Sequence, residues 1–259
     1  MTAFQKENTA KRWDKNHPNR ARNTSLYIAS KAFGLVLLLL VGTARTVAAE
    51  VTLAKAEAAL AETEAENWIS MFDGESLVGW SLPVFGGDGE VDVRRGNLIL
   101  GRGHMRTGIR YEREFPRMNY ELRYEARRMQ GVDFFAACTF PVGDSFCTFI
   151  PGGWGGGTTG LSSIDGFNAA NNPYSLHYNY RDETWYRFRI RVTDDAIRVW
   201  ITAQDREGNW GEEESVIRFV SADRELSTRL EADRHRQLSF TTWDTEGHLR
   251  NIEYRLIER

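Results

Sequence analysis

Between residues 118 and 128 the chain alternates with a period of two. Tyr120, Leu122, Tyr124 and Ala126 fall on one side, and Glu121, Arg123, Glu125 and Arg127 on the other. Successive side chains of an extended strand point to opposite faces, so this pattern predicts a half-buried antiparallel strand. Its charged row reads as a solvated or ion-pairing face rather than as a site. The same period returns at 185–192, where Tyr186, Phe188, Ile190 and Val192 alternate with Arg187, Arg189 and Arg191. Shorter apolar or alternating runs predict further strands at 68–72, 96–101, 145–150, 175–180, 196–203, 215–220, 237–243 and 249–257. Many short strands separated by turn signals, with no convincing long helix, predict an all-β sandwich of two antiparallel sheets.

The segment 151–172, PGGWGGGTTGLSSIDGFNAANN, breaks this regularity. It sets seven glycines around Trp154 and then supplies Ser162, Ser163, Asp165, Asn168, Asn171 and Asn172. So few strand or helix formers predict a long loop, and long ordered loops either carry function or cap a core. Gly155, Gly157 and Gly160 satisfy G-x-G-x-x-G, but no amphipathic helix follows to meet a pyrophosphate, which argues against nucleotide binding. Two readings stay open. In one, Trp154 is a stacking platform for a sugar whose hydroxyls meet amides and carboxylates; in the other, Trp154 packs over the end of the sandwich.

Residues 141–144, Pro-Val-Gly-Asp, are a turn sequence. With the turn centred between Val142 and Gly143, Cys138 and Cys147 oppose each other at a non-hydrogen-bonded pair, the closer kind. A cross-strand disulfide is then geometrically plausible in an oxidising compartment, with two packed free thiols as the alternative. The two cysteines supply no zinc motif.

Composition matters mainly at the start of the chain. Residues 1–31 are polar and basic, and 32–44 are an apolar run, shorter than the roughly 20 residues of a membrane-spanning helix but suited to a signal-peptide core. Small residues at 47–49 offer a cleavage point. The expectation is a signal peptide over 1–49 and export to the periplasm or beyond, with membrane contact only through that segment if it is not cleaved. An Ala/Glu-rich stretch at 50–67 reads as a short helical spacer, and 68–259 as one domain. The leader holds eight of the 33 basic residues and two of the 36 acids, which leaves 25 basic and 34 acidic residues, a formal charge of −9. An acidic exported domain is an unsuitable partner for nucleic acid.

Phe72-Asp73-Gly74-Glu75-Ser76-Leu77-Val78-Gly79-Trp80 places aromatics around an Asp-Gly turn. This F-D-G-x-(S/T)-L-x-G-W stretch resembles the opening of the 3-keto-disaccharide hydrolase domain family. Tyr120-Glu121-Leu122 is similar to that family's F-E-L, and Arg250-Asn251-Ile252-Glu253 to its closing R-N-I-x-I. The resemblance spans 68–259 and implies a concanavalin-like, LamG-like jelly roll. In the middle the chain departs: where the family runs Y-E-V-Q-I-x-D, it has Ser145–Ile150 with neither the carboxylate nor the amide, so no catalytic residue carries over from that strand.

The implied chemistry acts on a sugar oxidised at C3. The ketone acidifies the C2 proton, a base removes it, the C1 substituent leaves, and water adds to the enone. Such a site needs a base, an acid and a group that stabilises the enolate. Position in the strands and loop nominates Asp133, Asp165 and His177 for proton transfer and Trp154, Asn168 and Asn171 for sugar contact. Structural roles compete in each case: a turn at Asp165-Gly166, a loop cap at Asn171, an exposed strand histidine at His177. E-x-D-x-E, H-E-x-x-H and G-x-S-x-G are missing from the sequence. No cofactor is identified, and a divalent metal is compatible with the chemistry but has no ligand spacing behind it. The expected partner is a sugar or glycoside, handled by a hydrolase or lyase of 3-keto-glycosides; the alternative is a non-catalytic carbohydrate-binding or adhesive sandwich.

Overall fold

The computed structural model describes residue 55 and residues 67–220, 223–229 and 237–258. The expected leader lies outside these residues, as does the expected spacer apart from Lys55 and Asn67. The unit described here falls within 64–259.

Two antiparallel sheets form it. The first has eight strands, in the order β13 (Glu214–Val220), β12 (Ala196–Ala203), β11 (Tyr186–Val192), β6 (Tyr120–Gly131), β15 (Thr245–Leu256), β4 (Asn97–Leu100) and β3 (Val91–Arg94), with β1 (Ile69–Ser70) also on β15. The second has seven, in the order β10 (Ser175–His177), β9 (Thr158–Ser162), β8 (Ser145–Gly152), β7 (Ala137–Val142), β14 (Ser239–Trp243), β5 (Arg106–Tyr111) and β2 (Trp80–Ser81). The all-β sandwich expected from the alternation is the fold observed.

The core lies between the sheets and is built by the apolar rows. Tyr120, Leu122, Tyr124 and Ala126 of β6 and Phe188, Ile190 and Val192 of β11 are fully buried against Cys138, Phe140, Phe149, Leu161 and Phe240. Buried tyrosine hydroxyls need partners. Tyr120 and Tyr124 reach across to the other sheet, donating to the carbonyls of Pro141 at 2.6 Å and Ala136 at 3.1 Å. These bonds fix the relative position of the sheets in a way that apolar contact alone does not.

The Phe72–Trp80 motif serves this core. Phe72 and Trp80 are buried, and the Trp80 indole donates to the Met71 carbonyl at 2.9 Å. Asp73 accepts the backbone N–H groups of Glu75 and Ser76, both at 2.8 Å, and Gly74 takes the left-handed conformation that the turn requires.

Two expectations need correction. The β7–β8 hairpin turns between Gly143 and Asp144, with Val142 opposite Ser145, so Cys138 faces Phe149 and Cys147 faces Phe140. Gly143, with φ of 56°, supplies the positive dihedral that a tight hairpin turn uses, and Pro141 falls inside the strand. The cysteines are therefore offset along the hairpin and are buried free thiols, with no disulfide between them. The segment 151–172 is also more regular than expected. Thr158–Ser162 is a strand paired with β8, because its threonines suit an extended backbone and Leu161 reaches the core.

Candidate functional site

The outer face of the second sheet carries a second, smaller apolar cluster. Phe134, Ala137, Ile150 and Ala169 are buried there, with Trp243 packed against them. Alternation explains its origin: Cys138 and Phe149 face the main core, so their neighbours Ala137 and Ile150 face the other way. The 3-10 turn Ala169–Asn171 closes one side. It is started by Asn168, whose Oδ1 accepts the Ala170 N–H at 3.0 Å. Asn172 fastens the turn, its amide donating to the carbonyls of Leu161 at 2.8 Å and Asn168 at 2.9 Å.

Above this cluster lies a cavity of about 330 Å³ lined by Arg106, Asp133, Phe134, Ile150, Trp154, Ser162, Asn168, Arg229 and Trp243. Arg106 and Trp243 are directly opposite each other on β5 and β14. The Arg106 guanidinium stands 5.7 Å, 5.8 Å and 5.9 Å from the ring centres of Phe85, Phe134 and Trp243. These separations lie near the outer limit of cation–π attraction and place the cation among aromatic walls. Beside the cavity floor, Thr139 and Thr148 share a hydrogen bond of 2.9 Å, and Ser162 continues this hydroxyl line opposite Thr148.

The opposite wall is the turn Gly153–Gly156, which projects Trp154. Trp154 is 47% exposed, high for so large an apolar residue. Trp154 itself has φ of 50°, a left-handed value that disfavours a side chain, and Gly155 follows at 89°. Asp133 holds this turn: one carboxylate oxygen accepts the Gly155 N–H at 3.2 Å and the other the Phe134 N–H at 2.8 Å. Gly153 is needed for space, since a Cβ there would meet Ile150 Cγ2 at 2.9 Å and lie close to Phe134 and Asp133.

Of the residues nominated from the sequence, Asp133, Trp154 and Asn168 come together in this cavity. Asp165, His177 and Asn171 do not line it. Asp165 sits in its turn with φ of 51°, pairs with Arg224 at 2.5 Å and accepts the Glu225 N–H at 2.9 Å. The Arg224 hydrogen bond, helped by the Glu225 N–H, holds its carboxyl below the usual range, which suits a tether and not a base. His177 is exposed on β10, with Nε2 3.0 Å from Asn179 Oδ1. Asn171 is exposed on the 3-10 turn, its backbone N–H donating to the Asn168 carbonyl at 3.0 Å.

Sequence reasoning missed Arg106, Trp243 and Ser162. A signal existed for the first, because Thr107, Ile109 and Tyr111 alternate with Arg106, Gly108 and Arg110. Among the described residues, no group of three or more His, Cys, Asp or Glu side chains converges as a metal site would require.

The site is thus a cavity with aromatic walls over an apolar floor, edged by hydroxyls, on one outer face of a two-sheet sandwich. A family model described as the 3-keto-alpha-glucoside-1,2-lyase-like domain matches residues 67–253, and the chain belongs to that family. No curated protein is matched by its sequence. The chain is similar to the exoplasmic/lumenal domain of VIP36 in its Ca2+/Man3GlcNAc-bound form, with 9% identity and a TM-score of 0.48 over 75% of this chain and 90% of that one. It is also similar to the carbohydrate-binding module CBM66 from Bacillus subtilis, with 11% identity and a TM-score of 0.41 over 68% of this chain and 95% of that one. For peanut lectin the identity is 9% and the TM-score 0.43, covering 74% of this chain and 99% of the lectin.

Proposed function

We propose that the cavity on the second sheet binds a 3-keto-glycoside and cleaves it by elimination followed by hydration. The observation that carries this reading is that one carboxylate, Asp133, and two guanidiniums, Arg106 and Arg229, line the same cavity as two tryptophans, Trp154 and Trp243. Family membership supports this substrate class. Aromatic walls suit the apolar faces of a sugar ring, and Ser162 and Asn168 suit its hydroxyls.

In this scheme Asp133 takes the C2 proton, made acidic by the neighbouring ketone, and the C1–O bond breaks with its electron pair leaving on the aglycone oxygen. That oxygen takes a proton from water. Negative charge builds on the C3 oxygen as the C2 proton departs, and the Arg106 guanidinium stabilises it. The hydroxide left from that water then adds at C1 of the enone while the proton held by Asp133 returns to C2. The net result is hydrolysis to a free 3-keto sugar and an alcohol. An extracytoplasmic setting goes with this proposal and rests on the apolar run at 32–44.

A second reading, a carbohydrate-binding module without turnover, is favoured by one observation: both Asp133 oxygens already accept backbone N–H groups. A carboxylate has lone pairs to spare for a further partner, so the two readings differ in measurable turnover. The test is incubation of the purified chain with a 3-keto-disaccharide and, in parallel, its unoxidised parent, followed by NMR. Consumption of the keto form alone is expected. Glycan binding with neither sugar consumed would replace the enzyme by the binding module.

A further inference from the structure

The outer face of the first sheet, on the side away from the cavity, carries an ordered surplus of arginine. Three guanidiniums converge on the buried Glu121: Arg189 at 2.6 Å and Arg191 and Arg255 both at 2.7 Å. Two more, Arg187 and Arg250, share the buried Glu125, each at 2.8 Å. Register then extends the row beyond its carboxylates. Arg191 on β11 lies directly opposite Arg198 on β12, and Arg198 directly opposite Arg218 on β13.

Like charges directly opposed across strands destabilise a sheet. Arg191 is compensated by Glu121, but Arg198 and Arg218 make no ion pair among the described residues. Asp195, at the turn between β11 and β12, feels both of them, and one of its oxygens accepts the Thr193 hydroxyl at 2.6 Å. The result is a row of arginines on neighbouring strands, whose backbones lie about 4.8 Å apart, that ends at β13, the edge strand among the described residues. An extended polyanion lying across β11, β12 and β13 would remove the repulsion and find one positive charge at each strand.

We infer that this face is a second binding surface, for an acidic polysaccharide that carries carboxylate or sulfate groups along its chain. Single-stranded nucleic acid fits less well, because the aromatic rings it would stack on are occupied: Trp200 lies under Arg189 at 3.8 Å, and Trp68 under Arg123 at 4.0 Å and Arg255 at 4.8 Å. A glycan needs only the flat charged line, and the surface adds a tether to a domain whose cavity lies on the opposite sheet.

The test is titration of the full chain with polygalacturonate, dextran sulfate, neutral dextran and a duplex DNA of matched charge. Saturable binding to one or both acidic glycans, weakened by salt and absent for neutral dextran, is expected. Arg198→Glu with Arg218→Glu is expected to lower affinity at least tenfold, and the same pair changed to Gln by a smaller factor with unchanged thermal unfolding. Trp154→Ala, on the other sheet, is expected to leave this binding intact. No binding to either acidic glycan, equal binding by the double variants, or DNA binding as tight as glycan binding would overturn the inference.

Discussion

Asp133 and Gly155 are joined by a hydrogen bond of 3.2 Å that ties the segment just after β6 to the turn projecting Trp154. The same carboxylate therefore has two separable duties, holding the turn and taking a proton. Asn at 133 keeps an acceptor for one backbone N–H but removes the base. Asp133→Asn is expected to lower turnover of a 3-keto-disaccharide by 10²-fold or more, the lower range for a general base, while glycan affinity changes by about twofold. Asp133→Ala is expected to weaken both, since the turn loses its anchor. Full turnover in the Asn variant would show that Asp133 serves the turn alone.

The two tryptophans of the cavity differ in how they are held. Trp154 is 47% exposed on a glycine-rich turn, whereas Trp243 packs against Phe134 and beside Arg106. Trp154→Ala is expected to cost binding, roughly tenfold, with little change in thermal stability. Trp243→Ala is expected to cost binding and also about 2 kcal/mol or more of stability, because it opens the small cluster on the outer face. Isothermal titration with the glycan and urea unfolding separate the two. Equal loss of stability would show that the Trp154 turn is part of the folding core.

Much of the fold was legible in the chain because a strand buried on one face writes its period into the sequence. The rows Tyr120 to Ala126 and Tyr186 to Val192 are buried as the alternation predicts, and the charged row of β6 forms ion pairs as one reading of it required. What stayed hidden depended on register and on distant pairing. The hairpin centre depended on whether Gly143 or Val142 took the turn, and a small shift moved the cysteines out of opposition. Arg106 and Trp243 are far apart in the sequence, and only the pairing of β5 with β14 makes them neighbours. Asp165 looked available because nothing in its own segment shows that Arg224 and Glu225 return to bind it.

The cysteines give a direct test of that register. Both are fully buried, and burial pushes the Cys147 thiol up to about 12, so neither is reactive in the folded state. The intact mass is expected to be unchanged by reduction. A thiol reagent is expected to label neither cysteine in the native protein and both in denaturant. A mass increase of two hydrogens on reduction would restore the opposed register and contradict the observed one.

The last prediction concerns the carboxylate on which the arginine face converges. Burial raises the pKa of Glu121, but Arg189, Arg255 and Arg191 outweigh it and hold the carboxyl below its ordinary value of 4.5. A depressed folded value means that this stabilisation is complete above the unfolded value and is lost as the pH falls through the folded one. Glu121→Gln removes the charge at every pH and leaves three guanidiniums without their shared partner. A deficit of about 3 kcal/mol is expected at pH 7, the scale for breaking a buried ion pair from one side. Below the folded pKa the wild-type carboxyl is neutral too, and the deficit is expected to shrink toward zero. Urea unfolding of both proteins at pH 7 and at steps below pH 4.5 measures this; a deficit constant across that range would show that the carboxyl titrates alike in the folded and unfolded chain, so that its charge adds nothing to stability.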